Sequence, residues 1–257
     1  MSDSLPKPPA GIHVRQVIGP KQAAACVAEE LVDVQVACLA AGRRCVLGLA
    51  TGRSMLEVYS ALVEKIQQGQ LKGSEMTSFN LDEYCGLGPE DPRLFASFVR
   101  EHWARPAGLD PASLAFPDVR ASAEGLEQAC SSYEEKIVAA GGMDVLYLGL
   151  GRNGHIAFNE PGSSRESLTR LVDLAAQTRI DAAVFFGSLE QVPSQAVTMG
   201  IATIQKAQRI RVLAFGEAKR AAVASILAGR VREDWPCTHL LGHPDVQLYV
   251  DAAAAGS

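Results

Sequence analysis

Short apolar runs recur along this chain between longer stretches of helical character, and that alternation restricts the fold more than any other feature. Val46-Leu47-Gly48-Leu49 is a compact apolar run bounded by Arg43-Arg44 and Thr51-Gly52, the pattern of a strand buried on both faces. Met55 to Ile66 then places Leu56, Tyr59, Leu62, Val63 and Ile66 on one side of a helix. The same reading predicts strands over His13–Ile18, Met76–Phe79, Asp144–Leu150, Ala196–Met199, Arg211–Phe215 and Val246–Asp251. Helices are predicted over Lys21–Ala41, Phe95–Trp103, Leu126–Val138 and Ala218–Ala228. Strands joined through helices of this length pair in parallel, and their sheet is covered on both faces. No linker, repeat or low-complexity segment divides the chain. Residues 1–11 therefore read as a loose tail and 12–257 as one α/β domain. The stretch 157–190 shows no periodic element and is the natural candidate for a lid.

Composition narrows the choice of partner. The 257 residues are 47% hydrophobic, enough for one large core, and the formal net charge is -5. An acidic balance argues against a nucleic-acid or anionic-membrane surface, but a few convergent amides and cations can still hold a small phosphate. The start, Met1 to Gly11, lacks the apolar centre of a secretory leader, and no apolar run reaches the roughly 18–20 residues of a membrane span. The six cysteines contain no CxxC, so inert thiols in a reducing cytoplasm are expected. Cys237, His239 and His243 fit no common zinc spacing, and no metal is expected.

In a parallel sheet the binding crevice lies beyond the carboxyl ends of the strands, and four segments there carry chemistry. Gly48-Leu49-Ala50-Thr51-Gly52-Arg53-Ser54 runs from a strand through a hydroxyl-rich turn into a helix. Such a turn is a ready anion site, although alone it serves equally as a helix cap, and it lacks the Gly-Lys-Ser/Thr ending of a nucleotide loop. Phe79-Asn80-Leu81-Asp82-Glu83-Tyr84 ends a strand on two adjacent carboxylates, placed for proton transfer if a closed cleft raises their pKa.

Gly149-Leu150-Gly151-Arg152-Asn153-Gly154 matches the dinucleotide pattern in letters only. The helix that pattern needs is cut short by Asn159-Glu160-Pro161-Gly162. What remains is a glycine-rich turn presenting His155 and Glu160, an imidazole and a carboxylate suited to acid–base work. The fourth element is basic: Arg179, in a polar stretch before Phe185-Phe186, and Lys219, after the Val212–Phe215 strand. An Arg and a Lys are the usual pair for a phosphate, though each singly is more often a surface charge.

Taken together, Phe79-Asn80-Leu81-Asp82-Glu83-Tyr84 and Gly151-Arg152-Asn153-Gly154-His155-Ile156-Ala157-Phe158-Asn159-Glu160-Pro161 resemble the two signature segments of glucosamine-6-phosphate deaminases. The resemblance runs in order through Leu47 to Tyr59, Gln191-Val192-Pro193 to Gly200, and Phe215-Gly216 to Lys219. The sister 6-phosphogluconolactonases share a histidine loop but usually lack its Asn-Glu-Pro. The resemblance implies a three-layer αβα sandwich with a mostly parallel Rossmann-like sheet in a single domain. It also implies isomerisation and deamination of an amino-sugar phosphate without metal or organic cofactor. On it, Asp82 shuttles a proton between C2 and C1, His155 assists ring opening with Glu160 beside it, and Asn153 supports the histidine. Thr51, Gly52, Arg53, Ser54, Arg179 and Lys219 grip the phosphate.

The sequence departs from the family at several positions. Many members carry Asp where this chain has Asn153, a residue expected to orient the imidazole without adding charge. Arg53 stands at a glycine of the phosphate turn, and Val184 where an Arg commonly precedes Phe-Phe. Arg170 matches one basic residue of an allosteric site found in some hexameric members, but Val172 falls where a lysine belongs. Allosteric activation by N-acetylglucosamine 6-phosphate is therefore expected to be absent; a sigmoidal rate curve made hyperbolic by that compound would show otherwise. Rival readings are a deaminase for galactosamine 6-phosphate or another epimer, a 6-phosphogluconolactonase, and a sensor that binds sugar phosphate without turnover. A monomer and a small homo-oligomer fit the sequence equally.

Overall fold

The computed structural model describes residues 7–120 and 123–256. Five-residue strands form most of the central sheet: β1 (Ile12–Gln16), β2 (Cys45–Leu49), β3 (Met76–Asn80), β6 (Val145–Gly149), β9 (Ile210–Ala214) and β10 (Val246–Val250). With the two-residue β5 (Leu114–Ala115) they pair in the order β1-β10-β9-β6-β2-β3-β5, every pair parallel. Burial of all five residues of β2 on both faces accounts for its unbroken apolar sequence, while β9, equally buried, carries Arg211 paired with Glu30 and Asp245.

Helices cover both faces, as crossover handedness requires. From β1 through α1 (Pro20–Ala40) to β2, and on through α2 (Arg53–Gln67) to β3, the chain steps in one direction across the sheet. Right-handed crossovers place α1 and α2 on one face. Progress from β6 to β9, and through α7 (Arg220–Leu227) to β10, runs the other way and puts α7 on the opposite face. The direction reverses between the neighbouring strands β2 and β6. Their carboxyl ends therefore flank the switch-point crevice where α/β sheets bind ligands.

Three expectations need correction. Residues 195–198 form β8, but it lies outside the parallel sheet, between β4 (Asp82–Tyr84) and β7 (Arg170–Asp173) in a separate antiparallel sheet. The stretch 157–190 is not devoid of elements: it supplies β7 and α5 (Ala176–Phe186). The predicted Phe95–Trp103 helix is α3 (Phe95–Val99) followed by a π-helical turn over Arg100–Ala104. Of the expected N-terminal tail, residues 1–6 lie outside the described residues, whereas Pro9 and Gly11 accept backbone hydrogen bonds from Ile12 and Val246. A second small core fills the space between the antiparallel sheet and α5. There the Tyr84 ring meets Phe158 at 5.2 Å and Phe186 at 5.1 Å between centroids. No helix among the described residues is long and apolar enough to cross a membrane.

Candidate active site

A cleft of about 440 Å3 opens at the switch point, lined by the β2–α2 turn, Asp82, the glycine loop and Lys219. Its size suits a small ligand. Gly52 takes φ 111° at the start of α2, a conformation that favours glycine. No side chain caps that helix start, so Thr51, Gly52, Arg53 and Ser54 surround a helix N-terminus that attracts an anion.

Asp82 stands where the chain leaves β3. Leu81 is pinned on both sides, its N–H donating to Leu49 O and its carbonyl accepting from Met199 N, which fixes the next residue at the cleft wall. Asp82 is only 6% exposed. Burial, and then the nearby charge of Glu83, push its carboxyl well above the ordinary range. The adjacent pair does not act as a pair. Glu83 points away and accepts from Phe95 N at 2.9 Å, Ala96 N at 2.8 Å and Tyr84 N at 2.9 Å, capping α3. That cap sets Phe95, which lines the cleft beside Phe158.

The glycine loop closes on itself: Gly151 N–H donates to His155 O at 2.8 Å. A Cβ at Gly151 would lie 2.4 Å from the imidazole, so the ring packs on bare backbone. No long helix follows, in keeping with the rejected dinucleotide reading. The chain instead turns through Ala157, strained at φ 49°. Asn159 locks this turn, donating to Ile156 O at 2.9 Å and Met199 O at 2.8 Å while accepting from Arg170 Nη1 at 2.9 Å. Glu160 is thereby placed behind His155.

Glu160 Oε2 accepts from Asn153 Nδ2 at 2.8 Å, and Oε1 accepts from Thr178 Oγ1 at 2.5 Å. The imidazole Nδ1 lies 3.2 Å from Thr178 Oγ1 and 3.5 Å from Glu160 Oε2. Burial pushes the Glu160 carboxyl up, but the His155 contact and the Thr178 and Asn153 donors outweigh it, and the group sits below its ordinary value. Asn153 does not orient the imidazole as expected. Its Oδ1 accepts from the His155 backbone N–H at 3.2 Å and its amide serves Glu160, because the two-residue spacing to His155 brings it to the backbone and not to the ring.

The basic group divides. Half-buried Lys219 lines the cleft. Burial lowers its pKa, Asp181 opposes that shift, and the neighbouring cations Arg152 and Arg53 reinforce it. Arg53 lines the cleft mouth and adds a cation there. Arg179 does not line the cleft. It sits on α5, where its Nη2 donates to Leu189 O and Val192 O, both at 3.1 Å, tying the helix to the following loop. This departs from the expectation of a phosphate ligand: Nη2 is taken by backbone carbonyls and Nε is buried without a hydrogen-bond partner. Val184 is exposed on the same helix.

Sequence reasoning missed Thr178, Phe95 and Phe158 as site residues. Thr178 directly precedes Arg179 in the sequence, and it is Thr178 whose hydroxyl reaches His155 and Glu160. Two of the zinc-like trio are engaged by the backbone, Cys237 Sγ facing Ala222 O and the His243 ring bridging Ala207 O and Asp245 N, whereas the His239 ring nitrogens are buried without a hydrogen-bond partner. Cys38, Cys45 and Asp144 share one buried spot, but Arg43 takes both Asp144 oxygens at 2.6 and 2.8 Å, leaving a neutralised carboxylate.

The chain matches the family described as glucosamine-6-phosphate isomerases/6-phosphogluconolactonase over residues 19–249. It is 41% identical to a glucosamine-6-phosphate deaminase of Lysinibacillus sphaericus, over 79% of this chain and 85% of that one. It is 43% identical to the enzyme of that name from Beutenbergia cavernae, over 82% and 80%. A solved monomeric glucosamine-6-phosphate deaminase superposes with TM-score 0.89 at 35% identity, covering 95% of this chain and 99% of that one. A 6-phosphogluconolactonase from Thermotoga maritima reaches TM-score 0.71 at 20% identity, covering 94% and 99%, which shows a shared fold alone. The chain belongs to the glucosamine-6-phosphate isomerase/6-phosphogluconolactonase family.

Proposed function

We propose that this cleft converts glucosamine 6-phosphate and water to fructose 6-phosphate and ammonia. The observation that carries the reading is a buried carboxyl whose pKa is raised by burial, Asp82, in one cleft with the His155–Glu160 couple and an uncapped helix start. His155 takes the proton from the anomeric hydroxyl and passes it to the ring oxygen as the C1–O5 bond breaks, and Glu160 behind it stabilises the transient imidazolium. Asp82, in its ionised form, then removes the proton from C2, O1 of the enolate takes a proton from the C2 ammonium, and Asp82 returns its proton to C1. The nitrogen is left on C2 as an imine, and water hydrolyses it with loss of ammonia. A carboxyl group raised toward neutrality suits a step that both takes and returns a proton.

The phosphate is held by the Thr51–Ser54 turn and Lys219, with Arg53 at the rim. Those contacts are remote from C1 and C2 and supply orientation without chemistry. Arg179 would join them only if α5 moved. The sequence of steps is redox-neutral and built from proton transfers and hydrolysis, so its balance calls for no redox cofactor. The likeness to a solved monomeric glucosamine-6-phosphate deaminase supports a monomer, and the metabolite substrate supports a cytoplasmic setting.

The test is a coupled assay with purified protein, glucosamine 6-phosphate and no added metal. Ammonia and fructose 6-phosphate should appear in equal amounts at an enzymatic rate, on the order of 1 to 1000 per second. Product from 6-phosphogluconolactone, or from galactosamine 6-phosphate alone, would replace this reading with the corresponding rival.

A further inference from the structure

Thr178 is 6% exposed on α5, a helix remote in sequence from the glycine loop, yet its hydroxyl sits between Glu160 and His155. Donor and acceptor roles along this line can be assigned one after another. Glu160 holds its pKa below the ordinary carboxylate value, so near neutral pH it is ionised and can only accept. Its Oε1 lies 2.5 Å from Thr178 Oγ1, the length of a charge-assisted O–H···O bond, so the single hydroxyl proton is committed to Glu160. Oγ1 then offers only lone pairs to the imidazole nitrogen 3.2 Å away. A bare Nδ1 would set lone pair against lone pair; a protonated Nδ1 donates. The direct carboxylate contact, at 3.5 Å, is longer than the threonine contact and too long for a normal hydrogen bond. Asn153 leaves the assignment unaltered, because its oxygen is occupied by the His155 backbone N–H and its amide by Glu160 Oε2.

We propose that Thr178 is a positioning residue that fixes neutral His155 as the Nδ1–H tautomer, leaving Nε2 bare toward the cleft. On the reading of the cleft as an amino-sugar-phosphate site, that bare nitrogen accepts the anomeric proton. The carboxylate sets the hydroxyl, and the hydroxyl sets the ring. Thr178 touches no reacting atom.

Two variants and one spectroscopic readout test this. Thr178→Val keeps the shape and removes the hydroxyl; Thr178→Ser keeps the hydroxyl. Substituting Val should lower kcat about 10- to 100-fold, the range for groups that orient a histidine from behind, with KM changed little. The Ser variant should stay within a few-fold of wild type. Nitrogen-15 NMR of the His155 ring, at a pH where it is neutral, should show Nδ1 protonated in the wild type and Ser variant. In the Val variant the signal should move toward the other tautomer. Nε2 protonated in the wild type, or a Val variant with unchanged kcat and unchanged ring signals, would overturn the proposal. A Ser variant as slow as the Val variant would also overturn it, assigning the effect to the lost methyl. If wild-type protein releases no ammonia from glucosamine 6-phosphate, the functional reading fails while the ring signal still decides the role of Thr178.

Discussion

Replacing Asp82 by Asn should separate activity from stability, because the same burial that equips the carboxyl for proton transfer costs the fold free energy. The side chain is 6% exposed, and its pKa is raised by burial first and by the Glu83 charge second. A raised carboxyl pKa means that the folded state binds the proton more tightly than the unfolded chain does. Stability is therefore lost as pH rises from the ordinary aspartate value of about 4 through the higher folded value. At neutral pH the cost is present; below about pH 4 both states are protonated and it vanishes. Asparagine is nearly isosteric and never charges. It should stabilise the protein at neutral pH by about 0.5–2 kcal/mol, or roughly 2–4 °C in Tm per kcal/mol for a chain of this size. The gain should shrink toward zero near pH 4. Turnover should meanwhile fall by about 10^2 to 10^4, or roughly 3–5 kcal/mol of barrier, the share a positioned acid–base group supplies. KM should change little, since the phosphate grip is untouched. Thermal unfolding from pH 4 to 8, with steady-state kinetics, reads both effects. An Asn variant that unfolds at lower temperature at neutral pH, or keeps its kcat, would refute the assignment.

Glu83→Ala strips the acceptor from two backbone N–H groups at the start of α3 and from that of Tyr84; it should cost about 1–3 kcal/mol in denaturant unfolding and raise KM as Phe95 loosens. With its pKa lowered by burial and by Arg152 and Arg53, Lys219 should discharge before an ordinary lysine does, near 10.4. KM should therefore climb on the alkaline side below that pH in wild type and stay flat in Lys219→Met. Asn153→Asp would set a second carboxylate where the amide now lies 2.8 Å from Glu160 Oε2, raising the shared pKa. The stability Glu160 contributes is complete above the ordinary glutamate value and is lost as pH falls through its lower folded value. The acid-unfolding midpoint of the Asp variant should accordingly move to higher pH, as circular dichroism would report.

The positions of Asp82, His155, Glu160, Ser54 and Lys219 were legible because each follows an apolar run, and parallel strands deliver such residues to one edge. The division of labour between Asp82 and Glu83 was not. Neighbours on a strand point to opposite faces, and which face meets the cleft depends on the pairing of β4 with β8. Helix α5 was hidden by an inverted pattern. Its inward positions are Thr178, Ala182 and Phe186, while Ile180, Val184 and Phe185 are 54%, 83% and 61% exposed. Apolar periodicity points the wrong way on such a helix, so neither it nor Thr178 could be found by seeking a buried stripe. Strand β7 is four residues long with no fully buried position, too weak a signal to register without its partner β8.

The most direct test of the central claim is stoichiometric: incubate the purified chain with glucosamine 6-phosphate and follow ammonia and fructose 6-phosphate together. The cleft described here predicts one ammonia per fructose 6-phosphate, with Asp82→Asn slowing the release of both alike by about 10^2- to 10^4-fold. Absence of both products from folded wild-type protein, or ammonia without the ketose, would contradict it.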